Sequence, residues 1–283
     1  MSPLEGRLPR DHRGDAARAP NEELRDLAGA VMAKGATEPL GLYVFRADEP
    51  GAELSKSVER MVYEEDFGAA SESLDEEFAP YEKSMLLVCI LDHRLRRPVG
   101  TLRLIFPSPV GLKVLNDFEA VWGRPASTLF AQAGFEYEPG RTFNIASLAV
   151  APNYRRAAFQ GLVTMSLFQS ASQIGLRSEM SWFLATLYVP VLRMLQWKFH
   201  RPFSEFTGVE PRSFPDREPG ASLPAWGNLH AWHARLRERD QVLHDIMVRG
   251  VGLDPVVHLP DWDATADLVR SLTAPPDLRL HLR

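Results

Sequence analysis

A strand runs into a helix at Leu148-Ala149-Val150-Ala151-Pro152-Asn153-Tyr154-Arg155-Arg156-Ala157-Ala158-Phe159-Gln160-Gly161, and this segment carries residues suited to holding an anion. The first N–H groups of a helix have no intrahelical partner and point outward with the positive end of the helix dipole. Ala157, Ala158 and Gly161 are small enough for a phosphate to approach the backbone, and Arg155 and Arg156 add charge and fork geometry. An ordinary strand-to-helix turn with solvated arginines would show the same residues, so the segment alone does not separate the two readings.

Other reactive side chains are sparse. Cys89 is the sole cysteine and sits in Leu86-Leu87-Val88-Cys89-Ile90-Leu91 with no base or cation beside it, the setting of a small buried hydrophobe. His230 and His233 stand i, i+3 on a helix but lack a nearby Glu or Cys to complete a zinc site, so they read as surface histidines and no metal is expected. Arg103 is the one charge in an alternating strand, fitting either a solvent-facing edge position or a substrate or carrier contact. Arg60 has the same two readings, with Glu64 placed for an i, i+4 ion pair. The run Arg235-Leu236-Arg237-Glu238-Arg239-Asp240 is either a solvated face or a basic patch for an acidic protein.

The elements that must position these residues follow from periodicity. Residues 1–20 are polar and without period, the composition of a disordered leader. Helices are expected over Glu22–Lys34, Glu53–Glu65, Val110–Trp122, Arg155–Ile174 (closed by Gly175), Pro190–Phe199 and Asn228–Val248. Strands are expected at Gly41–Arg46, Met85–Leu91, Val99–Phe106, Thr142–Val150, Trp182–Leu187 and Phe203–Thr207. Ser71–Glu82 reads as an acidic loop, Val209–Pro224 as a Pro- and Gly-rich loop, and the chain from Gly250 shows no clear period. Strands that first form a hairpin and later alternate with helices give a mixed α/β sheet.

Composition narrows the function. The 283 residues are 45% hydrophobic and 24% charged, average for globular proteins and enough for a sizeable core. A net charge of −5 removes the electrostatic footprint of a general nucleic-acid binder. No apolar run is long enough for a helical membrane span, and the N-terminus lacks the apolar region of a secretory signal. With a single cysteine, the reducing cytoplasm is the natural compartment.

Val150-Ala151-Pro152-Asn153-Tyr154-Arg155-Arg156 resembles the start of the signature with which GNAT acyltransferases hold the pyrophosphate of an acyl-CoA. The usual Arg-Gly-x-Gly-x-Gly/Ala continuation is degraded to Arg156-Ala157-Ala158-Phe159-Gln160-Gly161. That looser loop is similar to the GNAT branch containing acyl-homoserine-lactone synthases and long-chain N-acyl amino acid synthases. Arg60-Met61-Val62-Tyr63, the acidic stretch Asp75 to Tyr81, and Gly100-Thr101-Leu102-Arg103-Leu104 followed by Val114-Leu115-Asn116-Asp117-Phe118 fit the branch in order. The resemblance covers about residues 41–208.

It implies a GNAT-like, mostly antiparallel sheet flanked by helices over residues 21–208. Residues 209–283 would add a loop and a helical extension packed on that core. It implies an acyl-CoA or an acyl-phosphopantetheine of an acyl carrier protein as co-substrate, an amine acceptor, and no permanently bound cofactor. The thioester would be bound by Leu148, Val150, Arg155, Arg156, Ala157, Ala158 and Gly161, with Arg60, Tyr63 and Arg103 toward substrate or carrier. A backbone N–H exposed by a bulge in the fourth strand, at Ala146 or Leu148, would take the oxyanion. The branch's Glu-x-x-Arg in that strand is replaced by Asn144 and Ser147. Asn144 could still orient a water, and Glu136 is among the nearest carboxylates in sequence, though a solvated loop explains it too. The tyrosine acid of many relatives is absent from Arg193–Phe199, and Tyr188 lies a little earlier. Trp182, Phe183 and Trp197 are expected in the core beneath an acyl tunnel.

Three functions remain open: an N-acyltransferase for a medium or long acyl group, a catalytically silent binder of an acyl carrier or ligand, and a lactone-forming autoinducer synthase. The degraded glycine loop favours the second, and Asn144 and Ser147 count against the third.

Overall fold

A computed structural model describes residues 22–68, 71–155, 161–213 and 220–273. The elements are α1 Glu22–Val31, β1 Leu40–Arg46, α2 Ala52–Phe67, α3 Ser71–Phe78, β2 Met85–Asp92 and β3 Arg97–Ile105. Then come α4 Lys113–Trp122, α5 Ala126–Ala133, β4 Thr142–Val150, α6 Leu162–Arg177, β5 Trp182–Tyr188 and α7 Val189–Lys198. The chain continues through β6 Ser204–Glu205, β7 Arg212–Ser213, β8 Ala221–Asn228, α8 Leu229–Arg239, α9 Gln241–Arg249, β9 Val257–His258 and α10 Trp262–Leu272.

The strands form one mixed sheet in the order β6-β8-β5-β4-β3-β2-β1-β9, with β7 also on β8. The pairs β1–β2, β2–β3, β3–β4 and β5–β8 are antiparallel, and β4–β5 is parallel. Because β2 is central, all eight of its residues are buried. Successive side chains of a strand point to opposite faces, which divides the run between two cores. Leu86, Val88 and Ile90 join Val163 and Leu167 of α6 on one face. Met85, Leu87, Cys89 and Leu91 join Leu54, Leu74 and Phe118 on the other. Burial pushes the Cys89 thiol up to about 12, so it packs as a small apolar group. Gly100 lets α6 press onto β3, since a Cβ there would collide with Val163.

Several expected elements change. Ser71–Glu82 is helical rather than loop, as α3 followed by a 3-10 turn at Ala79–Ser84. The expected helix from Arg155 begins at Leu162, after a 3-10 turn at Pro152–Tyr154, and Gly161 (φ +75°) is its N-cap. Gly175 lies inside α6, which runs on to Arg177, and its missing Cβ makes room for Phe143 and Leu229. The expected helix 228–248 breaks at Asp240, whose carboxylate accepts from the Leu243 N–H and so starts α9. Past residue 208 the chain adds strands as well as helices: β8 extends the sheet beside β5, and β9 pairs parallel with β1. The tail from Gly250 contains α10, capped by Asp261 and laid against α6. Among the described residues, no helix is long and apolar enough to cross a membrane.

Candidate active site

The sheet opens between β4 and β5. Their ladder runs from Thr142–Trp182 to Ile145–Ala185 and stops, although β4 continues to Val150 and β5 to Tyr188. On its other side β4 is bulged: Arg103 pairs with Ser147 and Leu104 with Ile145, so Ala146 is the extra residue. A bulge re-aims the backbone groups of its strand. Here it does so where the two strands part.

A cleft of about 550 Å³, its open mouth included, is lined by Ala146 and Asn144 of β4 and by Thr186 and Tyr188 of β5. Tyr63 and Phe67 bring α2 to one wall, and Gly220 and Ser222 close it from the β8 side. The ring of Phe67 lies 5.5 Å from Tyr63 and meets the Tyr188 ring edge-on at 5.4 Å. The Tyr188 hydroxyl-bearing ring is therefore held against α2 at the parting of the strands.

A polar trio occupies the remaining wall. Lys113, at the first turn of α4, places Nζ 2.7 Å from Glu77 Oε1 and 2.9 and 2.8 Å from the two Asp117 oxygens. All three line the cleft. Burial opposes the lysine charge, but Glu77 and Asp117 outweigh it and raise the ammonium above its ordinary range, so it stays charged. The trio carries a formal charge of about −1. Sequence reading missed it because Glu77 lay in a presumed loop, although the Lys113–Asp117 spacing of four was a usable signal.

Asn144 is buried and doubly bonded: Oδ1 accepts from the Val114 N–H at 3.1 Å, and Nδ2 donates to the Leu184 carbonyl at 3.1 Å. It clamps the start of α4 to β5. Ser147 does not face the cleft lining; its hydroxyl donates to Glu59 of α2, whose other oxygen pairs with Arg103. Arg103 is 1% exposed, so the edge-strand reading is wrong. Its guanidinium lies 3.9 Å from the Phe78 ring centroid and donates to Met85 Sδ at 3.2 Å. Glu59 was overlooked; a carboxylate on the apolar face of an amphipathic helix, as here, was the signal.

The other expected residues are scattered. Arg60 bonds Glu53 at 2.5 Å and Asp75 at 2.8 Å rather than Glu64. Arg155 donates to the Val150 carbonyl at 2.6 Å and pairs with Asp66 at 2.9 Å, tying the turn to the end of α2. Gly161 and Val150 flank that turn, Leu148 lies on the half of β4 unpaired with β5, and Arg156, Ala157 and Ala158 fall outside the described residues. Glu136 is exposed on the loop after α5, away from the cleft lining. Trp197 is 79% exposed, which overturns its place in the core; Phe183 is buried, and Trp182 packs against Phe135 and Trp226. His230 is exposed, but His233 is buried and bonded to the Ser172 hydroxyl at 3.0 Å, not on the surface. Among the described residues no three His, Cys, Asp or Glu side chains gather as a metal site.

No family model and no curated protein matches the chain. Solved structures do. An N-acyl amino acid synthase from uncultured soil microbes, FeeM, superposes with a TM-score of 0.52 at 15% identity, over 70% of this chain and 96% of that one. A CoA-dependent acyl-homoserine lactone synthase, BjaI, gives a TM-score of 0.48 at 14% identity, over 81% and 99%. An AHL synthase, LasI, gives a TM-score of 0.49 at 11% identity, over 75% and 96%. At these identities the likeness is one of fold. The bulged fourth strand, the parted β4–β5 pair and this superposition together give the chain the GNAT-like fold, in the form taken by the N-acyl amino acid synthase.

Proposed function

We propose that the chain is an N-acyltransferase that moves an acyl group from a thioester, of CoA or of an acyl carrier protein, to an amine. The observation that carries this reading is the bulge at Ala146, which opens onto the same cleft as Tyr188 where β4 and β5 separate. The thioester arm would lie between the parted strands, toward the turn of Val150, Arg155 and Gly161. An extended arm placed there can bond the half of β4 that β5 leaves unpaired.

The amine nitrogen attacks the thioester carbonyl, whose oxygen becomes an oxyanion held by the N–H of Ala146 or Leu148. The intermediate collapses with loss of the C–S bond, and the departing sulfur takes a proton from Tyr188. The nitrogen gives up its proton to solvent and the Tyr188 phenolate takes one back, leaving an amide, a free thiol and the tyrosine restored. Holding the two reactants together supplies much of the acceleration, which makes the missing strand-four glutamate tolerable. Phe67, Val114 and Ala146 of the lining would contact a medium or long acyl chain, and the acceptor would be the amine of an amino acid, peptide or natural product.

A second reading, a binder without catalysis, draws support from the pairing of Arg155 with Asp66, which competes with a phosphate for the guanidinium. Thiol release from acyl-CoAs and acyl carrier protein over an amine panel, with the amide found by mass, separates the two. Amine-dependent release supports the transferase. Thioester binding without release at any amine supports the binder.

A further inference from the structure

Side chains hold the turn that leaves β4 from two sides, one exposed and one buried. After Val150 the chain passes Ala151 and a 3-10 turn at Pro152–Tyr154 to reach Arg155. Toward α2, Arg155 pairs with Asp66, but both side chains are more than a third exposed, and such pairs contribute little. Toward the β2–β3 hairpin, Tyr154 is 3% exposed. Its hydroxyl donates to Asp92 Oδ2 at 2.5 Å and accepts from Arg97 Nη2 at 3.3 Å. The Arg97 guanidinium lies 5.3 Å from the centroid of the Tyr154 ring. Asp92 ends β2, Arg97 opens β3, and the two face each other in the ladder. The other Asp92 oxygen accepts from the Leu95 N–H at 2.8 Å inside the hairpin turn. Burial, with the Asp92 carboxylate, pushes the Tyr154 phenol up, so it stays a donor.

The Tyr154 ring alone would fill its place in the core. The hydroxyl adds a charge-assisted bond, stronger than one between neutral groups, from the turn to a hairpin 62 positions away. Groups that bind a ligand must be held to within about 0.5 Å, and supporting hydrogen bonds do this. The turn stands at the end of the half of β4 that β5 leaves unpaired. A donor arm laid along that half reaches the turn at its far end, where CoA and carrier-borne phosphopantetheine both carry phosphate.

We propose that Tyr154 is a positioning residue for the thioester donor: bonded to Asp92, it fixes the turn Pro152–Arg155 in the place that receives the donor's phosphate. The proposal rests on the thioester-donor reading above. Tyr154 touches no reacting atom; it acts through the backbone it holds.

The test compares three ligands that share one arm: CoA, 4′-phosphopantetheine and pantetheine, which has no phosphate. Binding to the full-length protein is read by calorimetry without acceptor. The unmodified protein is expected to bind CoA at least about tenfold tighter than pantetheine, and 4′-phosphopantetheine shows whether the first phosphate suffices. Tyr154→Phe keeps the ring and should weaken CoA about fivefold or more while pantetheine binding stays within about twofold. Asp92→Asn should act in the same direction, and adding Tyr154→Phe to it should cost little more. In transfer, Tyr154→Phe should raise KM for an acyl-CoA with kcat unchanged, and leave KM for the acyl-pantetheine as it was. Equal weakening of CoA and pantetheine, or no weakening of CoA, overturns the proposal. An unmodified protein that binds CoA no better than pantetheine overturns it too. Clear CoA binding without thiol release to any amine overturns the acyltransferase reading instead, and the ligand comparison still decides this proposal. If Tyr154→Phe fails to fold, Asp92→Asn with the same three ligands decides it.

Discussion

Glu59 on α2 and Ser147 on β4, 88 positions apart, share a buried hydrogen bond, and Arg103 of β3 closes the set through the other carboxylate oxygen. A carboxylate and an arginine thus meet at the bulge although β4 itself supplies neither. Removing one partner of a buried pair strands the other. Arg103→Ala is expected to cost about 3–5 kcal/mol in urea unfolding, and Glu59→Leu with Arg103→Met to recover most of it. A cost below about 1 kcal/mol for Arg103→Ala would show that the pair does not hold α2 to the sheet.

Asn144 is expected to act as a structural clamp. Asn144→Ala leaves the Val114 N–H and the Leu184 carbonyl without their partner, at a cost of about 3 kcal/mol. Unfolding by urea, followed alongside turnover, checks this. Unchanged stability with a fall in turnover would return Asn144 to the role of a water-orienting group.

Tyr188→Phe retains the ring that packs on Phe67 and deletes the hydroxyl. If that hydroxyl protonates the leaving thiol, kcat falls about 100-fold or more with little change in donor KM. The loss should shrink with a donor whose thiol needs no proton to leave. An equal loss for all donors would remove Tyr188 from the reaction.

Acid should weaken the packing of α8 on α6 through His233. Burial, aided by His244, His230 and Arg237, lowers its pKa from 6.5 to about 4 in the folded chain. Between these values the unfolded chain binds more protons, so stability rises with pH across that window. The contribution is complete above 6.5 and is lost as pH falls toward 4. From pH 7 to 5 the expected loss is about 2 kcal/mol, measured by urea titration at the two values. His233→Gln, which carries no proton to gain, should flatten that slope; an unchanged slope would place the effect elsewhere.

The central strand β2 was legible because burial on both faces leaves an apolar run, Met85–Leu91. Strand β8 was not, because Pro224 and Gly227 are turn residues in most settings. In the sheet, Gly227 is required where a Cβ would strike Phe183, a contact visible only in three dimensions. The break at Asp240 was hidden by a charge pattern that continues through it, although the residue is itself a good helix cap. The site was legible in part. The bulge followed from the resemblance, whereas the Glu77–Lys113–Asp117 wall depends on α3 and α4 meeting, which neither segment announces alone.

The most direct measurement is a crystal structure with a non-hydrolysable acyl-CoA thioether. The proposed reaction places the pantetheine arm between β4 and β5, with the carbonyl position within hydrogen-bond reach of the Ala146 or Leu148 N–H and close to Tyr188. An arm bound elsewhere, with β4 and β5 unoccupied between Ile145 and Val150, would contradict it.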